Sequence, residues 1–295
     1  MPEVKHILVS ADEAGQKLLN FLQRRLGPDV PQSLLMRVIR KGQVRVDKKR
    51  AKPFDRLCAG ADVRIPPIRA QERGETPANS PLLEPLTLLY HEQGILAVAK
   101  PAGLPVQPGS GHVDALSERL RAQFPDAAFT PTPAHRLDRD TSGILLCATS
   151  YEALRTLQQG FAGHGIGKFY LTWVRGELAP GTELIMEDAL DKVGDPGAQR
   201  MVVGAGKAAL ALARCLASKE GRSLLEIDLR TGRTHQIRVQ LASRGLPIVG
   251  DHKYGPRDRA PRMVLHAWKT ILPTGQTLTL LPDWPAPFAV TEDLL

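Results

Sequence analysis

The stretch His135-Arg136-Leu137-Asp138-Arg139-Asp140-Thr141-Ser142-Gly143 packs two arginines, two aspartates, two hydroxyls and a glycine into nine residues. The apolar run Ile144 to Ala148 follows, closed by Thr149 and Ser150, and reads as a short buried strand. The polar residues then form a loop held against a sheet, a common setting for chemistry. An aspartate between two arginines favours its charged form. Such a carboxylate can act as nucleophile or base; an isolated Arg-x-Asp is more often a structural ion pair.

Two further groups stand out. Thr231-Gly232-Arg233-Thr234-His235-Gln236-Ile237-Arg238 runs off an alternating strand, Leu225 to Leu229, into a helix that Gly245 can end. Lys168 to Val174 is an aromatic, β-branched strand carrying Tyr170. Taken singly, the arginine is ordinarily a solvated helix residue and the tyrosine a packing residue.

Several chemistries are excluded. Asp138 and Asp140 could pass for a glycosidase pair, but their arginine neighbours favour the charged form, whereas a general acid must stay protonated. Gly204-Ala205-Gly206 imitates a dinucleotide fingerprint without a βαβ unit around it. Gly167-Lys168 fails as a phosphate loop, because Ala162 holds the first glycine position and Phe169 the hydroxyl position. The eight histidines show no metal-binding spacing, and no GxSxG elbow occurs. No metal and no cofactor is expected.

The elements that must position these residues can be taken in order. His6 to Val9 reads as a strand, and Asp12 as the cap of a helix bearing Leu18, Leu22 and Leu26. A second helix follows Pro31, with Leu34, Leu35, Val38 and Ile39 on its apolar side and Gly42 as its stop. Val44 and Val46 start a strand, Lys48-Lys49-Arg50 a basic turn, and Val63 and Ile65 another strand. Residues 71–85 have linker composition. Leu88 to Tyr90 and Ile95 to Ala99 form a hairpin around Glu92-Gln93-Gly94. Val113, Leu116, Leu120 and Phe124 mark a helix; Ser150 caps another with Leu154, Leu157 and Phe161. Residues 180–220 show no clear periodicity.

At 295 residues the chain can form one large domain or two. It has no apolar run long enough for a membrane span and no leader-like start. Its three cysteines lie far apart, so a reduced, cytoplasmic protein is expected. Residues 1–70 hold 15 Lys and Arg against 7 Asp and Glu, leaving 24 of each sign from the chain's 39 and 31. All of the +8 net charge therefore lies in the first quarter. That is an electrostatic footprint for a polyanion, with nucleic acid foremost, although basic clusters also serve solubility.

The nine residues from His135 resemble the catalytic-aspartate motif of the RluA-type pseudouridine synthases, which implies that Asp138 is the catalytic residue. Thr231 to Arg238 resembles a second motif of that family, in which the arginine matching Arg238 pairs with the aspartate. By the same resemblance Tyr170, two residues after Lys168, would lie against the target uracil. Arg136 would fill the gap left by an extruded uridine. His135, Thr141, Lys168, Arg233, His235 and Leu265 complete the expected substrate-binding set. Lys100-Pro101-Ala102-Gly103, Gly250 to Gly255 and Leu265-His266-Ala267 continue the match. Gln107 and Gln240 depart from it, standing where close relatives often have histidine.

Two short helices and a basic strand-turn resemble the alpha-L RNA-binding module, with Arg37, Arg40, Lys41, Arg45, Lys48, Lys49 and Arg50 facing phosphate. The resemblance implies an α+β fold: an alpha-L type domain over 1–70, a linker over 71–85, and a catalytic domain over 86–295. That domain would carry a mostly antiparallel mixed sheet with the cleft across its middle. The implied activity isomerises uridines of large-subunit (23S) ribosomal RNA, by a monomer needing no cofactor and no membrane. The alternatives are a transfer RNA substrate, or a non-catalytic RNA-binding or ribosome-assembly factor on the same fold.

Overall fold

The computed structural model describes residues 3–27, 30–68, 83–108, 114–195, 199–257, 260 and 262–295. The chain divides into two compact units. The first comprises residues 1–85 with 119–132 and 148–156; the second holds the rest. Of the expected linker only 83–85 are described, and Val113 also lies outside the described residues.

In the first unit β1 (Lys5–Leu8), β4 (Asp62–Ile65), β2 (Arg45–Val46) and β3 (Lys49–Arg50) form a four-stranded sheet in that order. Helices α1 (Leu18–Leu26) and α2 (Gln32–Arg40) bury Leu18, Phe21, Leu22, Leu35, Val38 and Ile39 together with Val44, Val63 and Ile65. Asp12 does not cap α1. It sits in a separate 3-10 turn, Ala11–Glu13, where Ser10 and Glu13 form the capping box. Glu13 is buried and receives the Arg25 guanidinium at 2.6 and 2.8 Å. Asp47 and Lys48 both have positive φ, +48° and +66°, which closes β2 on β3 as a tight two-residue hairpin. Gly42 ends α2 at φ +71°, a left-handed conformation that favours glycine.

The second unit is built on an eleven-stranded sheet. Its central path runs β11 (Arg200–Val203), β10 (Glu183–Val193), β12 (Lys207–Lys219), β13 (Arg222–Leu229), β9 (Gly167–Arg175), β14 (Leu265–Ile271), β8 (Ser142–Ala148), β6 (Ile95–Lys100), β5 (Thr87–Glu92). Strand β15 (Thr277–Thr279) pairs with β14, and β7 (Thr132–Pro133) with β8. Antiparallel pairing dominates, with β14 and β8 parallel. The expected α+β class and antiparallel mixed sheet are thus present. The β5–β6 hairpin turns through Gln93 and Gly94, both with positive φ.

Helix α3 (Leu116–Gln123) precedes the loop that carries His135 to Thr141 and α4 (Tyr151–Ala162) follows β8, with Ser150 Oγ accepting the Ala153 N–H at 3.1 Å. Residues 180–220, featureless by periodicity, make the long strands β10 and β12. Gly204 and Gly206 belong to a turn packed on Asp191; a Cβ on Gly206 would lie 2.2 Å from the Leu190 carbonyl. They are turn glycines, not a phosphate loop. Helix α5 (Gln236–Ser243) buries Gln236 through Leu241 in unbroken series, its polar residues included. Polar groups buried in this way must find partners, and those partners make the site.

Candidate active site

Asp138 stands in the loop between β7 and β8, its side chain 18% exposed. Two devices fix that loop. Gly143, at φ +116°, lets β8 approach β14 so closely that a Cβ would lie 2.3 Å from the Ala267 carbonyl. Lys100 is buried at the end of β6, and its ammonium donates to the carbonyls of Pro101, Leu104 and Arg139 at 2.8, 2.8 and 2.9 Å. The Gly103 N–H reaches the same Arg139 carbonyl at 2.9 Å. Burial pulls the Lys100 pKa down to about 7, against the opposing charges of Asp140 and Asp138. The Arg139–Asp140 peptide is thus pinned by two donors.

The charge on Asp138 is met from α5. Arg238 Nη1 donates to Asp138 Oδ2 at 3.2 Å. The main engagement of this guanidinium is elsewhere: Nε and Nη2 fork onto Asp251 at 2.7 and 2.8 Å. Asp251 has a side chain 1% exposed and also accepts the N–H groups of Lys253 and Tyr254. Burial alone would raise the Asp251 carboxyl, but these donors hold it below its ordinary range. Burial likewise opposes the Arg238 charge, and the two carboxylates overcome it, raising its pKa. The sequence neighbours are not the partners: Arg139 pairs with Asp140 at 3.0 Å, and the exposed Arg136 guanidinium makes no hydrogen bond or ion pair among the described residues.

His235 precedes α5 in the left-handed region (φ +53°) and brings Nε2 to 3.9 Å from Asp138 Oδ2. Its Nδ1 lies 2.8 Å from Tyr254 Oη, which already accepts the Met201 N–H at 3.1 Å. When the Tyr254 hydroxyl donates to Nδ1, the imidazole proton sits on Nε2, on the side facing the carboxylate. Burial lowers the His235 pKa, keeping the ring neutral. Tyr254 also lies beneath Arg238, 5.2 Å from guanidinium carbon to ring centroid.

A cavity of about 450 Å³ opens in front of Asp138, with Tyr170, Leu265, Lys168 and Phe161 among its lining residues. Tyr170 is 6% exposed on β9, and burial with the nearby Asp138 charge raises its pKa, so the phenol is neutral. Burial lowers the Lys168 pKa, against the Asp228 charge. His135, Arg136, Thr141, Arg233 and His235 line the same cavity, so the structure brings together every residue of the expected catalytic and substrate-binding sets. His135 also acts as a strut. Its Nε2 accepts the Leu146 N–H at 3.0 Å, and burial and Lys168 push its pKa to about 3. Arg233 is tied to the Ala208 carbonyl at 2.9 Å. A second cavity, about 940 Å³, shares Arg136, Asp138, His235 and Arg238 and is bordered by Arg139, Lys253 and Arg262. No cluster of three or more potential metal ligands occurs among the described residues.

The basic set Arg37, Arg40, Lys41, Arg45, Lys48, Lys49 and Arg50 lies on α2, the residue after it, and the β2–β3 hairpin, exposed throughout. Sequence reasoning gave no role to Asp251, Lys100 or Tyr254. Their signal was only that they sit inside quoted motifs. Gln240, one of the two departures from the family pattern, is fully buried, lines neither cavity, and donates to the Met186 carbonyl and Asp188 at 2.8 and 2.7 Å.

Comparison with known proteins agrees with this geometry. A family model described as RNA pseudouridylate synthase matches residues 94–243. The chain is 41% identical over 263 residues to ribosomal large subunit pseudouridine synthase C of Salmonella typhimurium, covering 87% of this chain and 82% of the relative. It is 36% identical over 293 residues to the protein of that name from Pasteurella multocida, covering 94% and 89%. Among solved structures, human RNA pseudouridylate synthase domain containing 1 superposes with a TM-score of 0.58 at 27% identity, over 70% of this chain and 85% of that one. Human RNA pseudouridylate synthase domain containing 4 shares the fold, with a TM-score of 0.54 at 24% identity over 68% and 90%. With that identity extending over most of both chains, this chain belongs to the RluA-type RNA pseudouridylate synthase family.

Proposed function

We propose that this protein converts uridines of large-subunit ribosomal RNA to pseudouridine, with Asp138 as the catalytic residue. The observation that carries the reading is the Asp138 carboxylate, partly exposed at a cavity it shares with Tyr170 and held by Arg238. The reaction breaks the N1–C1′ bond, turns the uracil and joins C5 to C1′; the C5 proton leaves to solvent and N1 takes one up, so the product is an isomer. A base inside a helix is out of reach, so the uridine is flipped into the cavity. Tyr170 and Leu265 would bracket the uracil, and the unpaired Arg136 would occupy the vacated stack. Asp138 would act on the sugar or the base, as nucleophile or base toward a sugar proton. Neutral His235, its Nε2–H toward Asp138, would steady the carboxylate without adding a charge. Arg139, Lys253 and Arg262 around the second cavity suit the flanking phosphates.

The exposed cations of the N-terminal unit, an alpha-L type module over residues 1–70, would grip the phosphate backbone and confer salt-dependent affinity with little sequence information. All the proposed catalytic residues come from one chain, so a monomer suffices. A cytoplasmic setting fits its three free cysteines. No helix among the described residues is long and apolar enough to cross a membrane. The test compares tritium release from C5-labelled ribosomal RNA by the parent protein and by Asp138→Asn, beside a binding titration. Release by the parent alone, with binding retained in both, is expected. Turnover by the variant would remove Asp138 from the role, and RNA binding without parent turnover would favour a non-catalytic factor.

A further inference from the structure

Among the described residues Phe54 is the one exposed large aromatic side chain, 60% accessible. Its backbone is rigidly held. The Leu18 N–H at the start of α1 donates to the Asp55 carbonyl at 2.9 Å, and the Leu19 N–H to the Pro53 carbonyl at 2.9 Å. The turn is closed by Asp55 N–H to the Lys52 carbonyl at 3.1 Å and Lys52 N–H to Asp55 Oδ2 at 2.7 Å. Phe54 is therefore presented from a loop that uses orphan donors of a helix N-terminus as anchors. Lys17 Nζ lies 5.2 Å from the ring centroid. A cation over one face leaves the other for a flat partner.

A phenyl ring held in water on an ordered turn gains nothing from the core. Its surroundings say what it would meet. Lys52 and Arg56 are exposed on the same segment, and residues 1–70 carry 15 basic against 7 acidic residues. The Asp55 carboxylate beside it is engaged by the Lys52 N–H. An aromatic face where Lys17, Lys52 and Arg56 outnumber the one carboxylate, Asp55, suits a nucleobase, whose π-face stacks while the backbone phosphates meet the cations. A base stacked between its neighbours inside a duplex shows no free face.

We propose that Phe54, with Lys17 behind it, is a stacking platform for an unpaired base of the bound RNA. The N-terminal unit would then distinguish looped from fully paired RNA, which phosphate contacts alone do not do. This rests on the reading of the protein as one that acts on RNA.

The test titrates full-length parent, Phe54→Ala and Phe54→Trp against a ribosomal RNA stem-loop and a duplex of equal length, at several salt concentrations. Phe54→Ala should weaken stem-loop binding by about tenfold, the scale of losing one base–aromatic stack. Its salt slope should be unchanged, its duplex binding should match the parent, and Phe54→Trp should keep the stem-loop affinity. Unaltered stem-loop binding by Phe54→Ala would overturn the inference, as would equal weakening on both RNAs. If Phe54→Ala melts below the parent, Phe54→Leu, which keeps apolar bulk without a ring face, is read by the same criteria. Failure of the parent to bind either RNA would instead strike at the RNA reading itself.

Discussion

Replacing Arg238 by leucine tests the charge arrangement at its centre. The guanidinium serves Asp251 with two N–H groups and Asp138 with one. Its loss strands a carboxylate with a side chain 1% exposed, and takes from Asp138 its nearest cation. Removing one partner of a buried pair costs about 3–5 kcal/mol, which lowers the melting temperature by on the order of 10 °C for a unit of this size. Turnover should fall close to background, because Asp138 loses both its aim and its counter-charge.

The sign of the pH dependence separates this account from a simple packing defect. In the parent, Arg238 and two backbone N–H groups hold Asp251 low, so its contribution is present above the unfolded pKa and is lost as pH falls through the folded one. In Arg238→Leu burial is opposed only by the Lys253 and Tyr254 N–H groups, and the Asp251 pKa rises. Protonation then relieves the stranded charge, so the variant should regain stability relative to the parent as pH falls from neutral toward about 5. Adding Asp251→Asn to Arg238→Leu should restore part of the loss at neutral pH and flatten that pH response. Thermal melts from pH 5 to 8 on the parent, both single variants and the double variant provide the cycle. Full activity in Arg238→Leu, or a stability loss that is the same at every pH, would refute the reasoning.

Tyr254→Phe should free the His235 tautomer, so that imidazole ¹⁵N shifts report an Nε2-protonated ring in the parent and a mixture in the variant, with reduced turnover. An unchanged tautomer would show that Tyr254 does not set it. Gly143→Ala should melt far below the parent or fail to accumulate folded, since its Cβ would overlap the Ala267 backbone at 2.3 and 2.6 Å; a parent-like melt would contradict the approach of β8 to β14. Gln240→His should lower stability without changing which uridines are modified, because Gln240 lines neither cavity; site mapping on ribosomal RNA checks this.

The site was legible in the sequence where chemistry is written in side-chain types in contiguous runs. His135 to Gly143, the Tyr170 strand and the Thr231 to Arg238 block all converge on one cavity. Elements were legible where one face is apolar and the other polar, as in α1, α2 and β13. Strand β12 was not, because Lys207 to Lys219 sets alanines at 209, 211 and 213 on the buried face and leucines at 210 and 212 on the other. Apolar residues on both faces erase the period-two signal. The cap of α1 was misplaced for a different reason. Asp12 and Glu13 both precede a helical pattern, and only the buried Glu13–Arg25 pair decides which acid is used and where the 3-10 turn ends.

What local pattern cannot supply is the partner chosen across the fold. Adjacent in sequence, Arg139 looks like the counter-charge of Asp138, yet its side chain turns to Asp140 while its carbonyl takes Lys100 and Gly103. The cation that reaches Asp138 comes from a residue 100 positions later, and is itself oriented by Asp251. This division has a physical logic. Gly103 and Lys100 secure the backbone of the loop through a carbonyl, and α5 secures the carboxylate through a guanidinium that a buried second acid has already fixed. Peptide and side chain are therefore held independently, so the carboxylate keeps its position at the cavity. With two of its five N–H groups spent on Asp251, the guanidinium is fixed, and the Nη1 N–H it turns to Asp138 is aimed.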